Sequence, residues 1–343
     1  MTVLETLFEG HRDWLTFTLA KPDSTPGDRQ AYLPDGSRMD MTGSGILRLI
    51  PALPRDNARL ILSAGIHGDE TAPIELLNNL VTGIINGELE AARETLLILG
   101  NPPAMVAGKR AMTYNLNRLF NGVYRQPGYI ESADAGRARL LEKTCHTFAS
   151  GADELTHYDL HTAMRPSRRE RFAVYPCMPD RELPEKQLRF LAAADVNTLL
   201  LKHGTDPTFS SFTAWSLDAE SMTIELGQAR PFGQNNLSQF AGVDSCLRDL
   251  LAGRKPDPGV SASVVDIFEV VEEIVNTGNS FRFHVPDDAA NFTEYPPGAL
   301  IWEDEWHSYK VGDQPESVVF PNPNVPVGDR VGLMVRRLSS PSC

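Results

Sequence analysis

No run of about eighteen apolar residues occurs in the 343-residue chain, so no membrane-spanning helix is expected. The N-terminus, MTVLE, has no basic segment leading into an apolar one, and no secretory signal is anticipated. Basic charge is scarce as well. Lys and Arg total 32 against 45 Asp and Glu, a formal net charge of −13, which repels nucleic-acid phosphates and argues against such a partner. The four cysteines, Cys145, Cys177, Cys246 and Cys343, stand far apart with no CxxC pair. Neither a cysteine-type metal site nor a disulfide framework is indicated, and free thiols in a reducing, cytoplasmic compartment are expected. Repeats and long low-complexity tracts are absent too. Nothing in the chain speaks to oligomeric state.

What is present is ordinary globular material: 41% hydrophobic and 22% charged residues, enough chain for one large domain and a smaller one. Up to about Pro54, turn signals (Pro22, Pro26, Gly27) alternate with strand-like runs around Leu15–Leu19 and Ile46–Ile50. Residues 59–65 (RLILSAG) and 95–100 (TLLILG) read as buried strands. A helix is expected over Ala72–Ile85, with Pro73 tolerated in its first turn. Further helices are expected over Ser132–Ala149, Glu185–Ala194 and Leu237–Leu251, with strands at Leu155–Leu160, Phe172–Tyr175, Thr198–Leu201 and Met222–Leu226. The alternation predicts an α/β fold with a mixed sheet flanked by helices over residues 1–255. The Pro/Gly cluster 254–259 (RKPDPG) predicts a linker, and the Val-, Phe-, Pro- and Gly-rich remainder predicts a small all-β domain over 260–343.

Four groups of residues carry chemistry. In GIHGDE (65–70), His67 and Glu70 follow a buried strand, where α/β sheets collect their ligand sites; both are suitable zinc ligands. A surface turn explains an isolated HxxE equally well. In YDLHT (158–162), His161 ends a second strand and would complete a two-His, one-carboxylate set with an open fourth position. Asp159, two residues earlier, is a candidate to fix its tautomer, and His157 continues the spacing as an alternative ligand. Glu225, in TIELG (223–227), is a carboxylate in an apolar strand. It is either a solvated side chain on an edge strand or a general base that deprotonates the attacking water and protonates the leaving amine. Lys109-Arg110 and NLNR (115–118) combine fork donors with amides, a pairing suited to carboxylates. The remaining histidines, His11, His146, His203, His284 and His307, read as ordinary, and no second metal is expected.

Taken in order, GIHGDE, NPPAMVAGKR (101–110), NLNR, DLHT and IELG resemble the succinylglutamate desuccinylase/aspartoacylase family, a zinc carboxypeptidase-like branch, over about residues 45–335. GNPPAM with its following GKR resembles the branch acting on N-succinyl-L-glutamate more than the aspartoacylase branch. The resemblance implies one zinc per subunit on His67, Glu70 and His161, with Glu225 as catalytic glutamate. It places Arg110, Asn117 and Arg118 at substrate-carboxylate and oxyanion contacts. It further implies hydrolysis of a small anionic substrate to succinate and L-glutamate, the last step of arginine degradation by the succinyltransferase route. The family often carries Asp or another polar residue where Asn115 stands, and Asn115 reads as tolerated variation. For the distal carboxylate only nearby candidates exist: Arg168, Arg169, Arg171 and Tyr175. Acyl-chain length is open, so another N-acyl amino acid such as N-acetyl-aspartate is the alternative substrate. A non-catalytic metal-binding scaffold is a further alternative, disfavoured because a purely structural zinc has no use for Glu225.

Overall fold

The computed structural model describes residues 2–24, 29–179, 181–256, 259 and 264–339. The chain opens with α1 (Val3–Phe8), α2 (Trp14–Ala20), β1 (Arg29–Tyr32), β2 (Arg38–Gly43) and β3 (Ile46–Ile50). The alternating part follows: β4 (Ala58–Ala64), α3 (Thr71–Ile85), β5 (Glu94–Leu99), α4 (Pro102–Ala107), α5 (Ala133–Ala149), β6 (Glu154–His161), β7 (Phe172–Cys177), α6 (Glu185–Ala193), β8 (Thr198–His203), α7 (Phe209–Leu217), β9 (Glu220–Glu225) and α8 (Ala241–Leu251). The C-terminal stretch adds β10 (Asp266–Val275), β11 (Arg282–Phe283), β12 (Thr293–Tyr295), β13 (Leu300–Glu303), β14 (Ser308–Lys310), β15 (Glu316–Val319) and β16 (Arg330–Arg337), and no α-helix among the described residues.

One mixed sheet dominates, in the order β1-β2-β3-β5-β4-β6-β9-β7-β8-β10-β16-β15-β12. Its centre, β5-β4-β6-β9, is parallel. Alternate side chains of β4 enter different cores: Leu60 and Leu62 pack with α3, while Ile61 packs with Phe209 and Phe212 of α7. Burial on both faces is why this strand reads as an unbroken apolar run. The chain passes from β4 to β5 on one side, then returns to place β6 on the other. Such a switch point opens a crevice at the strands' carboxyl ends. The C-terminal strands continue this sheet, because β10 pairs in parallel with β8.

Two expectations need correction. Residues 15–19 are helical, not extended: Asp13 caps α2 by accepting from the Thr16 N–H at 2.7 Å, and Trp14, Phe17 and Thr18 are buried on one face. The two threonines suggested a strand, but the aspartate cap and the helical spacing of the buried residues prevail. The cysteines are not all free thiols. Cys145 and Cys246 are free and buried, but Cys177 is disulfide-bonded, since separation along the chain does not set separation in the fold. Pro26 and Gly27 of the early turn signals, residues 257 and 258 of the predicted linker, residues 260–263 and Cys343 lie outside the described residues.

Candidate metal and hydrolytic site

The ends of three neighbouring parallel strands converge at this crevice. Pairing of β6 with β9 sets His161 directly beside Glu225, and pairing of β4 with β6 aligns Ala64 with Leu160, so the loop after β4 emerges at the same level. Gly65 takes a left-handed φ of 67° to start that loop. Gly68 lets the loop lie against α4; a Cβ there would come within 2.2 Å of the Ala104 backbone. The NPPAM segment has a capping role: the Asn101 side chain accepts from the Ala104 N–H, with prolines in the first turn. The chain leaving this short helix delivers Arg110 to the site.

His67, Glu70 and His161 offer ligand atoms that all lie within 4.8 Å of one another, and all three residues are buried. Glu70 sits between the rings, with Oε1 2.9 Å from His67 Nδ1 and Oε2 2.9 Å from His161 Nδ1. Arg110 donates to Oε1 at 2.8 Å and the Thr162 N–H to Oε2 at 3.2 Å. The outer ring nitrogens are also engaged: His67 Nε2 meets Asn115 Oδ1 at 3.0 Å, and His161 Nε2 meets Asp159 Oδ2 at 2.8 Å. Two imidazoles and a carboxylate, each oriented from behind, are a donor set that fits a divalent ion such as zinc. Among the described residues no other group of three or more such side chains converges in this way.

Charge within the cluster follows from burial and contact. Burial opposes ionisation of Glu70, but the two imidazoles outweigh it and hold the carboxyl well below its ordinary range. For His161 burial is outweighed by Asp159 and Glu70, so its imidazolium is strongly favoured, a positive charge located where a bound cation would sit. His67 moves the other way, down to about 4, mainly through burial. Glu225 stands apart. It is buried, its Oε2 has no hydrogen-bond partner, and burial together with the charge of Glu70 pushes its pKa up to about 7. Its strand lies between β6 and β7 inside the sheet, which disposes of a solvated edge position.

His157 is not part of the cluster. It lies in a fully buried polar chain behind the site: Asp159 Oδ1 accepts from Ser63 Oγ at 2.5 Å, Ser63 Oγ meets His157 Nε2 at 2.8 Å, and His157 Nδ1 meets Thr213 Oγ1 at 2.8 Å. Sequence reading missed Ser63 and Thr213, because the register that pairs Ser63 with Asp159 is set only when β4 and β6 meet. Asn115, read as tolerated variation, orients His67 and also accepts from the Asn117 N–H. Asn117 in turn accepts from the Phe209 N–H at 2.9 Å and ties the loop to α7.

The crevice in front has a volume of about 410 Å³, and Arg110, Asn117 and Arg118 are among the residues that line it. Three distal-carboxylate candidates are engaged elsewhere: Arg169 pairs with Asp266, Arg171 with Asp195, and Tyr175 donates to Glu220. Arg168 is not among the lining residues either. The cations that complete the lining are Arg165, Lys202 and Arg330.

A profile of the succinylglutamate desuccinylase/aspartoacylase catalytic domain matches residues 56–251. The chain belongs to that family. A second profile, the AstE/AspA barrel-sandwich hybrid domain, matches residues 263–338. Among the enzymes of this family, the succinylglutamate desuccinylase of Pseudomonas paraeruginosa is 41% identical over 328 residues, covering 94% of this chain and 96% of that protein. That of Serratia proteamaculans is 42% identical over 292 residues, covering 85% and 88%. The crystal structure of the Vibrio cholerae succinylglutamate desuccinylase superposes with a TM-score of 0.87 at 31% identity, covering 97% of this chain and 96% of that one. That from Chromobacterium violaceum gives 0.83 at 34% identity, covering 96% and 99%. The family's mixed sheet with flanking helices and its C-terminal β region are both present here.

Proposed function

We propose that this chain hydrolyses the amide bond of N-succinyl-L-glutamate to succinate and L-glutamate, using one zinc ion per subunit on His67, Glu70 and His161. The observation that carries this reading is Glu225: a buried carboxyl with an unpartnered oxygen, held beside the His67–Glu70–His161 cluster by strand pairing. The relatives' names supply the substrate, and the reaction then belongs at the end of arginine degradation through succinylated intermediates.

A zinc ion held there supplies Lewis-acid polarisation of the amide carbonyl and makes water easier to deprotonate. The side chains do the rest. Glu225, with a pKa near 7, accepts a proton from the attacking water and returns it to the departing amine nitrogen as the C–N bond breaks. Arg110, already turned toward Glu70, supplies a fixed positive charge for the developing oxyanion. Asp159 holds His161 in one tautomer. Asn117 and Arg118 take substrate carboxylates, which an enzyme of net charge −13 must attract locally. Residues 1–255 would form the catalytic unit and 260–343 the smaller β unit.

The test is turnover of N-succinylglutamate and N-acetyl-aspartate side by side, before chelation, after chelation and after zinc return. Loss and recovery with the succinyl substrate preferred supports the reading. Turnover that survives complete metal removal, or a preference for the acetyl substrate, overturns it.

A further inference from the structure

The crevice is also lined by charges that the hydrolytic step does not use. Arg118 donates to the Asn117 carbonyl at 2.8 Å and forms no ion pair among the described residues. Arg330, the first residue of β16, reaches the same crevice from the C-terminal β region and is held loosely by Asp206 at 3.4 Å. Its guanidinium also lies over the Phe320 ring, 6.0 Å from the centroid. Lys202 is neutralised by Glu273 at 2.6 Å. Burial, and then the charge of Arg330, lowers the pKa of Arg118 to about 9, so the two guanidiniums disfavour each other. Apart from the groups of the hydrolytic site, Arg118, Arg165, Lys202 and Arg330 face Asp206, Glu273 and Asp329 across the lining, so cations outnumber anions by one.

We propose that Arg118 and Arg330 form a two-guanidinium clamp for a substrate carboxylate remote from the scissile amide, which makes Arg330 a specificity-determining residue supplied by the C-terminal β region. The inference rests on the functional reading above, in which the substrate is an N-acyl amino acid carrying several carboxylates. Each guanidinium has five N–H donors in a planar fork. Arg330 spends an Nη1 contact on Asp206, and Arg118 an Nη1 contact on Asn117, which leaves donors on both for a ligand. A bound carboxylate relieves their mutual repulsion. A site built this way rejects an analogue lacking the carboxylate more strongly than an apolar pocket rejects a missing methylene.

The experiment compares wild type, Arg330→Gln and Arg330→Lys on three substrates: N-succinyl-L-glutamate, N-butyryl-L-glutamate, which lacks the acyl carboxylate, and N-succinyl-L-2-aminobutyrate, which lacks the side-chain carboxylate. For Arg330→Gln we expect kcat/KM on N-succinylglutamate to fall about 100-fold, mostly through KM. The fall should be at least about thirtyfold smaller on one of the two analogues, which identifies the clamped carboxylate, and Arg330→Lys should recover part of the loss. Equal falls on all three substrates overturn the clamp, because a purely structural arginine does not discriminate among them. Wild-type enzyme that turns over none of the three fails the functional reading instead. The clamp then stands or falls on thermal-shift protection: glutarate must protect wild type better than butyrate does, and Arg330→Gln must abolish that difference.

Discussion

Two sets of groups around the crevice solve opposite electrostatic problems. Around β4, β6 and β9 the groups satisfy one another: both oxygens of Glu70 are engaged, both rings are held from behind, and Asp159 is anchored by Ser63. Around Arg118 and Arg330 the pairing is sparser: Arg330 reaches Asp206 only at 3.4 Å, and Arg118 has no ion pair among the described residues. On the proposed reading the first set would hold an ion and carry the reaction, and the second would take an anion that arrives and leaves. Glu225 is the exception in the first set, a carboxyl whose Oε2 has no hydrogen-bond partner among the described residues. A fixed cluster with one reactive gap next to a loose cationic wall is the arrangement a hydrolase needs for a small polyanion.

Breaking the ordered set at its gap has the largest expected effect. Glu225→Gln should lower kcat on N-succinylglutamate by about 10³-fold while the protein still binds stoichiometric zinc. Retained activity would remove Glu225 from the proton path, and lost zinc would make it a ligand instead.

Next in size is a stability effect in metal-free protein. Burial raises the Glu225 pKa from an ordinary 4.5 to about 7, so the folded state holds that proton more tightly than the unfolded chain. Its contribution is therefore most favourable below pH 4.5, declines as pH rises through 7, and is lost above that. The full difference is on the order of 3 kcal/mol. Chelated Glu225→Gln protein should lack this decline, so urea melts of the pair at pH 5 and pH 8 should diverge at the higher pH. Parallel behaviour at both values would count against a buried, unpartnered carboxyl.

Weakening the support behind the ligands should act on the metal more than on the fold. Asp159→Asn is expected to reduce zinc affinity by about 10- to 100-fold, read by competition with a chromogenic chelator. Ser63→Ala, one contact further back, should cost only several-fold in the same assay. If the two substitutions had equal effects, the chain through Ser63 would be a packing feature and not a support for His161.

Much of this was readable before folding. The apolar runs of β4 and β5, the helix with Pro73 in its first turn, and the ligand-type residues at strand ends all follow from local pattern. The misreadings have local causes too: residues 15–19 carry β-branched threonines whose strand preference was overridden by the Asp13 cap and by burial against the core. The arginines at 168–171 were close to His161 in sequence, but the fold pairs Arg169 and Arg171 with Asp266 and Asp195, away from the crevice. Arg330 lies more than a hundred residues from the other site groups, and no periodicity connects it to them.

By itself, then, the sequence determined which chemical groups are available and which backbone elements carry them, because strand burial, caps and turn residues act over a few positions. Only the tertiary structure decided that His161 rather than His157 meets Glu70, that Glu225 is buried with its Oε2 unpartnered among the described residues, and that the C-terminal β region supplies a cation to the crevice. Those outcomes depend on strand order and register, which are properties of the whole sheet and are set by long-range packing rather than by any one segment.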